Sequence, residues 1–589
     1  MISPENLLTQ IREHLSAIYD EHTASLWAES YTGVLDSFMR DHSISGEKGE
    51  KKKCIEEHSS LLITYADSLK EEGKTPLAAL SSFLTEKVGE AISTVHLLPF
   101  FPYSSDDGFS VIDPVTVNPE VGSWDDISQL GRSYRMMFDL VANHLSQHSE
   151  WIQKYLDKDP GFADFAIEVS GEEDVSQVFR PRALPLFSHV TSTAGNTRRV
   201  WTTFSADQVD INYGNPKVLL TILEVLLSYI RRGASLVRLD AIAFIWKELG
   251  TSCIHHEKTH RIIQFFRWAL DTCAPGAGII TETNVPHKEN ISYFGNGRNE
   301  ASLVYNFPLP PLTLHTFLTG DATKLSKWAS TLEFPSEEVT YFNFLASHDG
   351  IGVVPAKGIL TQEEIAFMAE HVKAQGGFVS YRSEGDGSKS PYELNCSYLS
   401  ALCDASVEES TEEKAQRFIA SQAIMLSLRG IPGIYIHSLL GSENCHSCPD
   451  ILNHPRRINR EKLDTLLLER ELKDSGSLRS QVLSSYLTLL NTRRKEKAFH
   501  PSATQTVRTG NPSVFTLLRT AENGEEILTL INVTDQTAAV DLLKVFQDLS
   551  IESPKEIWKD LLSEMTFDPE DNGSSSVRLT PYQVCWLRK

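Results

Sequence analysis

The chain has few cysteines and no long hydrophobic run. Only eight of its 589 residues are cysteine. A disulfide framework is therefore not expected to define the fold, and the cysteines are expected to be buried free thiols. Cys445 and Cys448 flank a histidine, but zinc sites usually combine two such clusters and the sequence has no second one. No stretch approaches the roughly 20 apolar residues that a membrane-spanning helix needs.

Positive charge is also scarce. Lys and Arg together number 55 against 78 Asp and Glu, which gives a formal net charge of -23. Such an acidic chain disfavours nucleic acid or an anionic membrane as its main partner. The first residues, MISPENLLTQIREHL, carry early charges and lack the apolar segment of a signal peptide. These features predict a cytoplasmic protein, and they leave open whether it is a monomer or a homodimer.

Short apolar runs alternate with helical stretches over most of the chain. Eight runs are nearly continuous in apolar side chains, as strands buried on both faces are; they lie at 60–67, 94–102, 135–144, 235–244, 278–284, 302–309, 340–350 and 430–441. Eight strand-and-helix units predict an α/β fold of the (β/α)8 TIM-barrel type over 59–500. A long segment after the third run, about 146–200, predicts a short insertion domain.

The two ends of the chain depart from this alternation. Residues 1–58 have apolar side chains at helical spacing, followed by the charged run EKGEKKK at 47–53, and they predict a helical N-terminal extension. After about 500, stretches such as SVFTLLRT and EEILTLINVT are short and strand-like, with turns between them. They predict a C-terminal antiparallel β domain at 501–589.

Several apolar runs end in charged side chains. A strand is predicted over 238–245, which overlaps the fourth run. It contains Arg238 and Asp240, which point to the same face of a strand. Glu282 closes the fifth run and Asp349 the seventh. The carboxyl ends of barrel strands share one face, so these side chains are expected to meet there. One buried Asp could be structural, but three converging carboxylates would cost several kcal/mol each if they were unpaired.

This set of side chains suits glycosyl transfer through a covalent intermediate. Asp240 is the candidate nucleophile, and Arg238 would keep it ionised and oriented. Glu282 is the candidate general acid and base, which requires a raised pKa. Asp349 would bind sugar hydroxyls most strongly in the transition state. Hydrogen bonds to the same sugar are expected from His144 and His348.

The strand ends resemble the four sequence blocks of the α-amylase superfamily, glycoside hydrolase family 13. Here the blocks read DLVANH (139–144), SLVRLDA (235–241), ITETN (280–284) and SHDG (347–350). Further stretches, among them VHLLPFFPYSSDDGFSVID and FRPRALP, look like the sucrose phosphorylase branch over roughly 60–500. The resemblance implies Asp240 as nucleophile, Glu282 as general acid and base, and Asp349 as transition-state stabiliser. It implies a glucosyl-binding set of Asp106, Phe109, His144, Arg238, His348 and Arg456.

The same resemblance implies that inorganic phosphate, rather than water, attacks the glucosyl-enzyme, so that α-D-glucose 1-phosphate leaves. Phosphate needs charge-assisted donors, for which Arg is suited. Residues 180–199 contain four arginines and no Asp or Glu. The resemblance implies Arg182 as the phosphate contact. The other three, Arg180, Arg198 and Arg199, could join this site or be ordinary surface residues.

Two features bear on the second substrate. The N-terminal extension and the Gly/Ser-rich loop at 376–395 depart from plain sucrose phosphorylases and look more like the glucosylglycerate phosphorylases of this branch. Arg382 and Lys389 in that loop are candidates to bind the glycerate carboxylate. Sucrose, sucrose 6-phosphate and glucosylglycerol remain open as substrates.

Other activities stay open beside a phosphorylase that acts on small molecules, an α-glucoside and phosphate. A hydrolase or transglucosidase could use the same scaffold. A non-catalytic barrel that serves as a binding subunit is disfavoured, because the three carboxylates are all present. Asn143 stands where many amylases bind calcium, but this branch generally lacks that ion. Neither a metal nor another cofactor is therefore expected.

Overall fold

Eight parallel strands form a closed barrel, and each strand pairs with the next along the chain. The computed structural model describes residues 3–44, 56, 58–182, 184–383, 388–551, 556–567 and 576–589. The barrel strands are β1 (Leu61–Thr64), β2 (Thr94–Leu97), β3 (Arg135–Val141), β4 (Ala234–Asp240), β5 (Gly278–Thr281), β6 (Leu303–Tyr305), β7 (Thr340–Phe344) and β8 (Ile431–Tyr435). The predicted (β/α)8 fold is confirmed, and its strands are apolar because they are buried on both faces.

Helices between the strands and after the last strand cover the outside of the barrel. They include Pro76–Phe83, Trp124–Leu130, Pro216–Arg231, Glu257–Cys273, His287–Asn290, Leu309–Thr319, Thr323–Ala329, Gln362–Ala374, Tyr398–Leu402, Thr411–Ser427, Thr465–Lys473 and Leu478–Arg493. Local sequence explains where they begin: Asn215 caps Pro216–Arg231 with its side chain and is followed by a proline at the first helical position. The helices leave the carboxyl ends of the strands open, as in other barrels of this type.

The fourth strand is shorter than its sequence predicts. It ends at Asp240, because Ala241 takes a left-handed conformation with φ 48° and a 3-10 turn, Ile242–Phe244, follows. A residue with a Cβ rarely adopts this conformation, and such positions concentrate at functional sites. The strand predicted over 238–245 was therefore wrong beyond Asp240. Asp240 therefore lies at the open end of the barrel, where the chain turns outward.

An insertion separates β3 from the helix Pro216–Arg231, as the sequence predicts. Its short strands His144–Ser146 and Gln208–Asp210 pair antiparallel, so the inserted structure extends past 200. Between them lie the helix Glu150–Leu156 and a hairpin of Phe187–Thr191 with Thr197–Trp201.

Two N-terminal helices, Pro4–Ser16 and Glu21–Ile44, pack against the barrel helices Pro216–Arg231 and Glu257–Cys273. Tyr31 is fully buried and its hydroxyl donates to the Pro216 carbonyl at 2.7 Å. In the turn between the two helices, Tyr19 donates to the Tyr213 carbonyl at 2.9 Å and its ring lies 6.4 Å from that of Trp246. The charged run at 47–53 lies outside the described residues.

The C-terminal part forms a six-stranded antiparallel sheet, in agreement with the predicted β domain. Its order is Thr504–Arg508, Val514–Thr520, Glu526–Asn532, Val584–Arg588, Trp558–Asp560 and Thr566–Phe567. Trp586 is fully buried, and its indole donates to the Ser427 hydroxyl on a barrel helix at 3.0 Å. The sheet therefore shares buried contacts with the barrel.

One pair of cysteines departs from the expectation of free thiols. Cys445 and Cys448 form a disulfide in the segment after β8, so the expectation of free thiols was wrong for this pair. The other described cysteines are free, and most of them are buried. Among the described residues, no helix combines the length and apolar character needed to cross a membrane.

Candidate active site

A cavity of about 560 Å³ opens at the carboxyl ends of the barrel strands. Its volume is in the range of small-molecule sites. The sequence-predicted residues that line it are Asp106, Phe109, His144, Arg182, Asp240, Glu282, His348, Asp349, Arg382 and Arg456. Arg238 is buried next to the lining, whereas Lys389 is exposed and is not a lining residue in the described part of the chain.

The buried Arg238 connects Asp240, the candidate nucleophile on its own strand, to Asp139 on β3. Its Nη1 donates to Asp240 at 2.9 Å and also to Asp139, which the strand register places beside it on β3. Asp139 in turn lies 2.6 Å from the imidazole of His96 on β2. Two carboxylates thus compensate one guanidinium, which explains how an arginine is tolerated in a barrel interior.

Asp240 and Glu282 differ in their contacts with that guanidinium. Burial raises the pKa of both carboxyls, because each charge must leave water, while Arg238 opposes the shift. Asp240 accepts the 2.9 Å hydrogen bond, whereas Glu282 lies 3.8 Å from Arg238 and accepts the Ala241 amide at 3.2 Å. The closer contact with Arg238 favours a negative charge on Asp240 over one on Glu282. This is the arrangement that a nucleophile and a general acid require.

The third carboxylate, Asp349, is held by arginines from the segment after β8. Arg456 Nη1 lies 2.5 Å from Asp349, and Arg460 lies 3.9 Å away. Burial alone would raise the pKa of Asp349, but Arg456 and the other nearby cations outweigh it and lower that pKa well below its ordinary range. Asp349 therefore stays ionised, as a group that binds sugar hydroxyls must.

Arg456 is itself fixed by Glu393, a residue that the sequence did not single out. Nε and Nη2 of Arg456 donate to the two Glu393 oxygens at 2.9 and 2.6 Å. Glu393 is only 2% exposed and lines the cavity. A bidentate pair of this kind fixes the plane of the guanidinium.

One wall of the cavity is formed by Phe109 and His348, whose rings stack 4.7 Å apart at 6°. The chain reaches Phe109 through two left-handed residues, Asp106 and Asp107, with φ of 54° and 46°. Burial lowers the pKa of His348 to about 3, so its imidazole is neutral near pH 7. Its Nδ1 has no hydrogen-bond partner among the described residues.

His144 lines the cavity, but both of its ring nitrogens contact protein groups. Nε2 donates to the Phe109 carbonyl at 3.1 Å, and Nδ1 lies 3.2 Å from the Asn143 amide nitrogen. Burial lowers the pKa of His144, so it is neutral. A sugar hydroxyl would have to share or replace the contact at Nε2.

The four arginines of 180–199 differ in where their side chains lie. Only Arg182 among them lines the cavity, with Nη2 3.6 Å from Asp106 and its guanidinium 5.7 Å from the Phe204 ring. The others bind elsewhere in the insertion: Arg180 contacts the Leu184 carbonyl, Arg198 contacts Glu168, and Arg199 contacts the Ser170 carbonyl. None of these three lines the cavity, so Arg182 is the one arginine of the four that remains as a candidate for a phosphate.

The predicted loop at 376–395 is a β hairpin over much of its length. Phe378–Ser383 pairs antiparallel with Lys389–Asn395, and residues 384–387 lie outside the described part of the chain. Arg382 lines the cavity, while Lys389 is exposed, opposite Ser383. The structure brings only one of the two proposed acceptor cations to the site.

The ammonium group of Lys247 lies between a side-chain oxygen of Asn143 and one of Asp210. Lys247 Nζ is 2.7 Å from Asn143 Oδ1 and 2.7 Å from Asp210 Oδ2, and it also donates to the Phe244 carbonyl. The described residues contain no group of three or more His, Cys, Asp or Glu that could hold a metal. A positive charge from the chain itself thus connects β3, the insertion and the segment after β4.

Comparisons with known proteins show which family the chain resembles over its length. The alpha amylase catalytic-domain family matches residues 88–364. Glucosylglycerate phosphorylase of Spirochaeta thermophila is 47% identical over 98% of this chain and 98% of its own length. Glucosylglycerate phosphorylase of Allomeiothermus silvanus is 45% identical over 100% and 99%. The crystal structure of sucrose 6F-phosphate phosphorylase from Thermoanaerobacter thermosaccharolyticum superposes with TM-score 0.69 at 26% identity, covering 83% of this chain and 96% of that one.

Proposed function

The chain belongs to the glucosylglycerate phosphorylases of the α-amylase superfamily, and we propose that its substrate is 2-O-α-D-glucosylglycerate. The enzyme is a glycoside phosphorylase: inorganic phosphate cleaves the glucoside to α-D-glucose 1-phosphate and glycerate. This proposal is supported by the 45–47% identity to curated glucosylglycerate phosphorylases over nearly the whole of both chains. Asp240, Glu282 and Asp349 on one cavity supply the chemistry.

In the first step, a carboxylate oxygen of Asp240 attacks the anomeric carbon of the bound glucosyl unit. The bond from that carbon to the glycerate oxygen breaks, and Glu282 gives its proton to the leaving oxygen. The product is a β-linked glucosyl ester on Asp240 and free glycerate. Arg238 stabilises the Asp240 charge before the attack. Asp349 would bind the sugar hydroxyls as the ring flattens.

In the second step, phosphate attacks the same carbon from the side that glycerate has left. The ester bond to Asp240 breaks, the carboxylate is restored, and the two inversions give α-D-glucose 1-phosphate. Glu282, now ionised, takes the proton that phosphate brings and is ready for another cycle. Water attacking in place of phosphate would give free glucose, so the acceptor pocket must favour the anion.

We assign the two anionic groups of the substrates to two arginines at the cavity. Arg182, from the insertion, is the proposed phosphate ligand because it lines the cavity and its arginine neighbours in sequence do not. Arg382, from the hairpin after β7, is the proposed ligand of the glycerate carboxylate. An arginine fork matches both anions and compensates locally for a chain with net charge -23.

The direct test is phosphorolysis of glucosylglycerate by the purified protein, with and without phosphate. We expect glucose 1-phosphate only when phosphate is present, and Asp240→Asn should abolish it. Free glucose as the main product would indicate a hydrolase instead. In the synthetic direction, glucose 1-phosphate is offered with glycerate, fructose, fructose 6-phosphate or glycerol. Release of phosphate with an acceptor other than glycerate would reassign the substrate. Location in the cytoplasm and a monomeric or homodimeric state stay predictions.

A further inference from the structure

His255 lines the cavity and carries a ring nitrogen that no step above uses. It lies on the segment between β4 and the helix Glu257–Cys273 and is a lining residue. Its Nδ1 lies 2.8 Å from the Tyr293 hydroxyl, which fixes the ring. Its Nε2 is buried and has no hydrogen-bond partner among the residues that the structure describes. A buried polar nitrogen without a partner is costly unless a ligand satisfies it.

The nearest charge to that nitrogen is the carboxylate of Glu289. The Nε2 to Oε2 distance is 3.5 Å, too long for a hydrogen bond but short enough for one oxygen atom to contact both groups. Glu289 lies after β5 and also lines the cavity. Its side chain is 53% exposed, so it can reorient towards a bound group.

The backbone around His255 is held in an unusual conformation. Both Cys253 and His255 have φ of 56°, in the left-handed region that residues with a Cβ rarely occupy. The His255 amide donates to the Ala243 carbonyl at 3.2 Å, close to the nucleophile strand. Backbone strain of this kind is retained where a side chain must point in one direction.

The charge states of the pair define what it can bind. Burial lowers the pKa of His255 to about 4, so the imidazole is neutral near pH 7. A neutral imidazole facing a carboxylate carries its proton on Nε2, with Nδ1 accepting from Tyr293. The site thus offers one donor and one anionic acceptor. A hydroxyl group fits both, because its oxygen accepts from Nε2 and its proton is donated to the carboxylate. An anion would be repelled by Glu289.

Topology places this pair after the two strands that carry the candidate nucleophile and general acid. His255 and Glu289 follow β4 and β5, the strands that end at Asp240 and beside Glu282. The proposed glucosyl ligands Asp106, His348 and Arg456 follow β2, β7 and β8 instead. In a barrel of eight strands in chain order, β4 and β5 stand across from β8 and β1. The pair therefore stands across the barrel from Arg456, on the side of the candidate acid that protonates the leaving oxygen.

We propose that His255 and Glu289 form a hydroxyl-recognition site for the free primary alcohol of glycerate, the group that is neither glucosylated nor ionised. This rests on the proposed function and deepens it. Arg382 takes the carboxylate, the His255–Glu289 pair takes the primary hydroxyl, and the two together place the secondary oxygen at Glu282. The pair would then distinguish glycerate from 2-hydroxy acids that lack this hydroxyl.

The experiment compares two acceptors in synthesis from glucose 1-phosphate: glycerate and lactate of the same configuration at carbon 2. They differ only in the primary hydroxyl. We expect the wild-type kcat/KM to be about 10- to 100-fold higher for glycerate, the discrimination a hydrogen bond to a charged group supplies. In His255→Leu and in Glu289→Ala, the value for glycerate should fall towards that for lactate, and the value for lactate should change less than about threefold.

His256→Asn is the matched control. His256 is next to His255, but its Nδ1 caps the following helix, a role that Asn also performs, and it is not a lining residue among those described. This variant should keep the wild-type ratio. Because Glu289 is half exposed, Glu289→Ala tests the site even if the histidine variant fails to fold.

Two results would overturn the proposal: equal use of glycerate and lactate by the wild-type enzyme, or an unchanged ratio in the folded His255 and Glu289 variants. Failure of the wild-type enzyme to use glycerate at all would refute the proposed function and this site with it. The two failures are distinguishable, because the first leaves glycerate as a good acceptor.

Discussion

The guanidinium of Arg456 lies 2.5 Å from the carboxylate of Asp349. The other donor nitrogens of Arg456 are engaged by Glu393, at 2.9 and 2.6 Å. Glu393 belongs to the hairpin strand Lys389–Asn395 that pairs with the strand of Arg382. The element that carries a proposed acceptor ligand is therefore bonded, through one arginine, to the proposed transition-state stabiliser.

Replacing Glu393 with Gln should weaken catalysis through this contact. One charged hydrogen bond is lost, so Arg456 holds Asp349 less firmly, and kcat/KM for phosphorolysis should fall about tenfold, or about 1.4 kcal/mol. Arg460 still favours the ionised Asp349, so the pH profile should not move. Steady-state kinetics over a pH series would show both effects.

Glu409→Gln is the control for loss of a buried ion pair. Glu409 lies 2.6 Å from Arg417, both side chains are about 10% exposed, and neither lines the cavity among the described residues. This variant should lower stability without changing kcat/KM. An equal loss of activity in both variants would mean that Glu393 acts only through the fold.

Arg182→Gln should raise the KM for phosphate by about 10-fold or more, since charged hydrogen bonds contribute roughly 1.5–3 kcal/mol each. The KM for glucosylglycerate should change far less. Arg198→Gln is the matched variant, because Arg198 lies on the same insertion but binds Glu168 at 2.8 Å. Initial rates at varied phosphate test the assignment, and a normal phosphate KM in the Arg182 variant would contradict it.

Arg382→Ala and Lys389→Ala separate two residues that the sequence treated alike. Arg382 lines the cavity and Lys389 is exposed. In synthesis from glucose 1-phosphate, the first variant should raise the KM for glycerate at least about tenfold, and the second should stay within about twofold. If Lys389→Ala had the larger effect, or neither variant changed the KM, the carboxylate site would lie elsewhere.

Stability should fall in acid, in part because of His437. Burial lowers the pKa of His437 to about 3, below the value of about 6.5 for an unfolded chain. The unfolded chain therefore binds a proton that the native chain does not, and stability is lost as pH falls from about 6.5 towards 3. His437→Gln should reduce the slope of unfolding free energy against pH by up to about 1.4 kcal/mol per unit.

Denaturant unfolding at several pH values between about 6.5 and 4 measures that slope. His454→Gln is the control, since the His454 side chain is 48% exposed in the folded protein. An identical slope in the His437 variant and the wild-type protein would show that this histidine takes up its proton without unfolding.

The barrel could be predicted from sequence because its strands are buried on both faces. In β1, for example, every residue of Leu61–Thr64 is buried, and all but Thr64 are Leu or Ile. The end of β4 could not be predicted. An alanine carries no sign of a left-handed backbone, and only the surrounding structure holds Ala241 in that conformation.

The meeting of Asp240, Glu282 and Asp349 at one cavity could be predicted, because charged residues at the ends of apolar runs are conspicuous. Glu393 and His255 were missed, because their positions depend on partners far along the chain: Arg456 is 63 residues from Glu393, and Tyr293 is 38 residues from His255. Composition alone also could not separate Arg182 from Arg180, Arg198 and Arg199. Which arginine enters the cavity depends on the hairpin and turns of the folded insertion.

Two hydrogen bonds in series connect the N-terminal helices to the backbone near His144, a proposed sugar ligand. Tyr19 donates to the carbonyl of Tyr213, and the Tyr213 hydroxyl donates at 2.7 Å to the carbonyl of Ala142, two residues before His144. Heat that detaches these helices would loosen the backbone beneath His144 while the barrel is still intact. The enzyme should therefore lose activity at a temperature below that at which it unfolds.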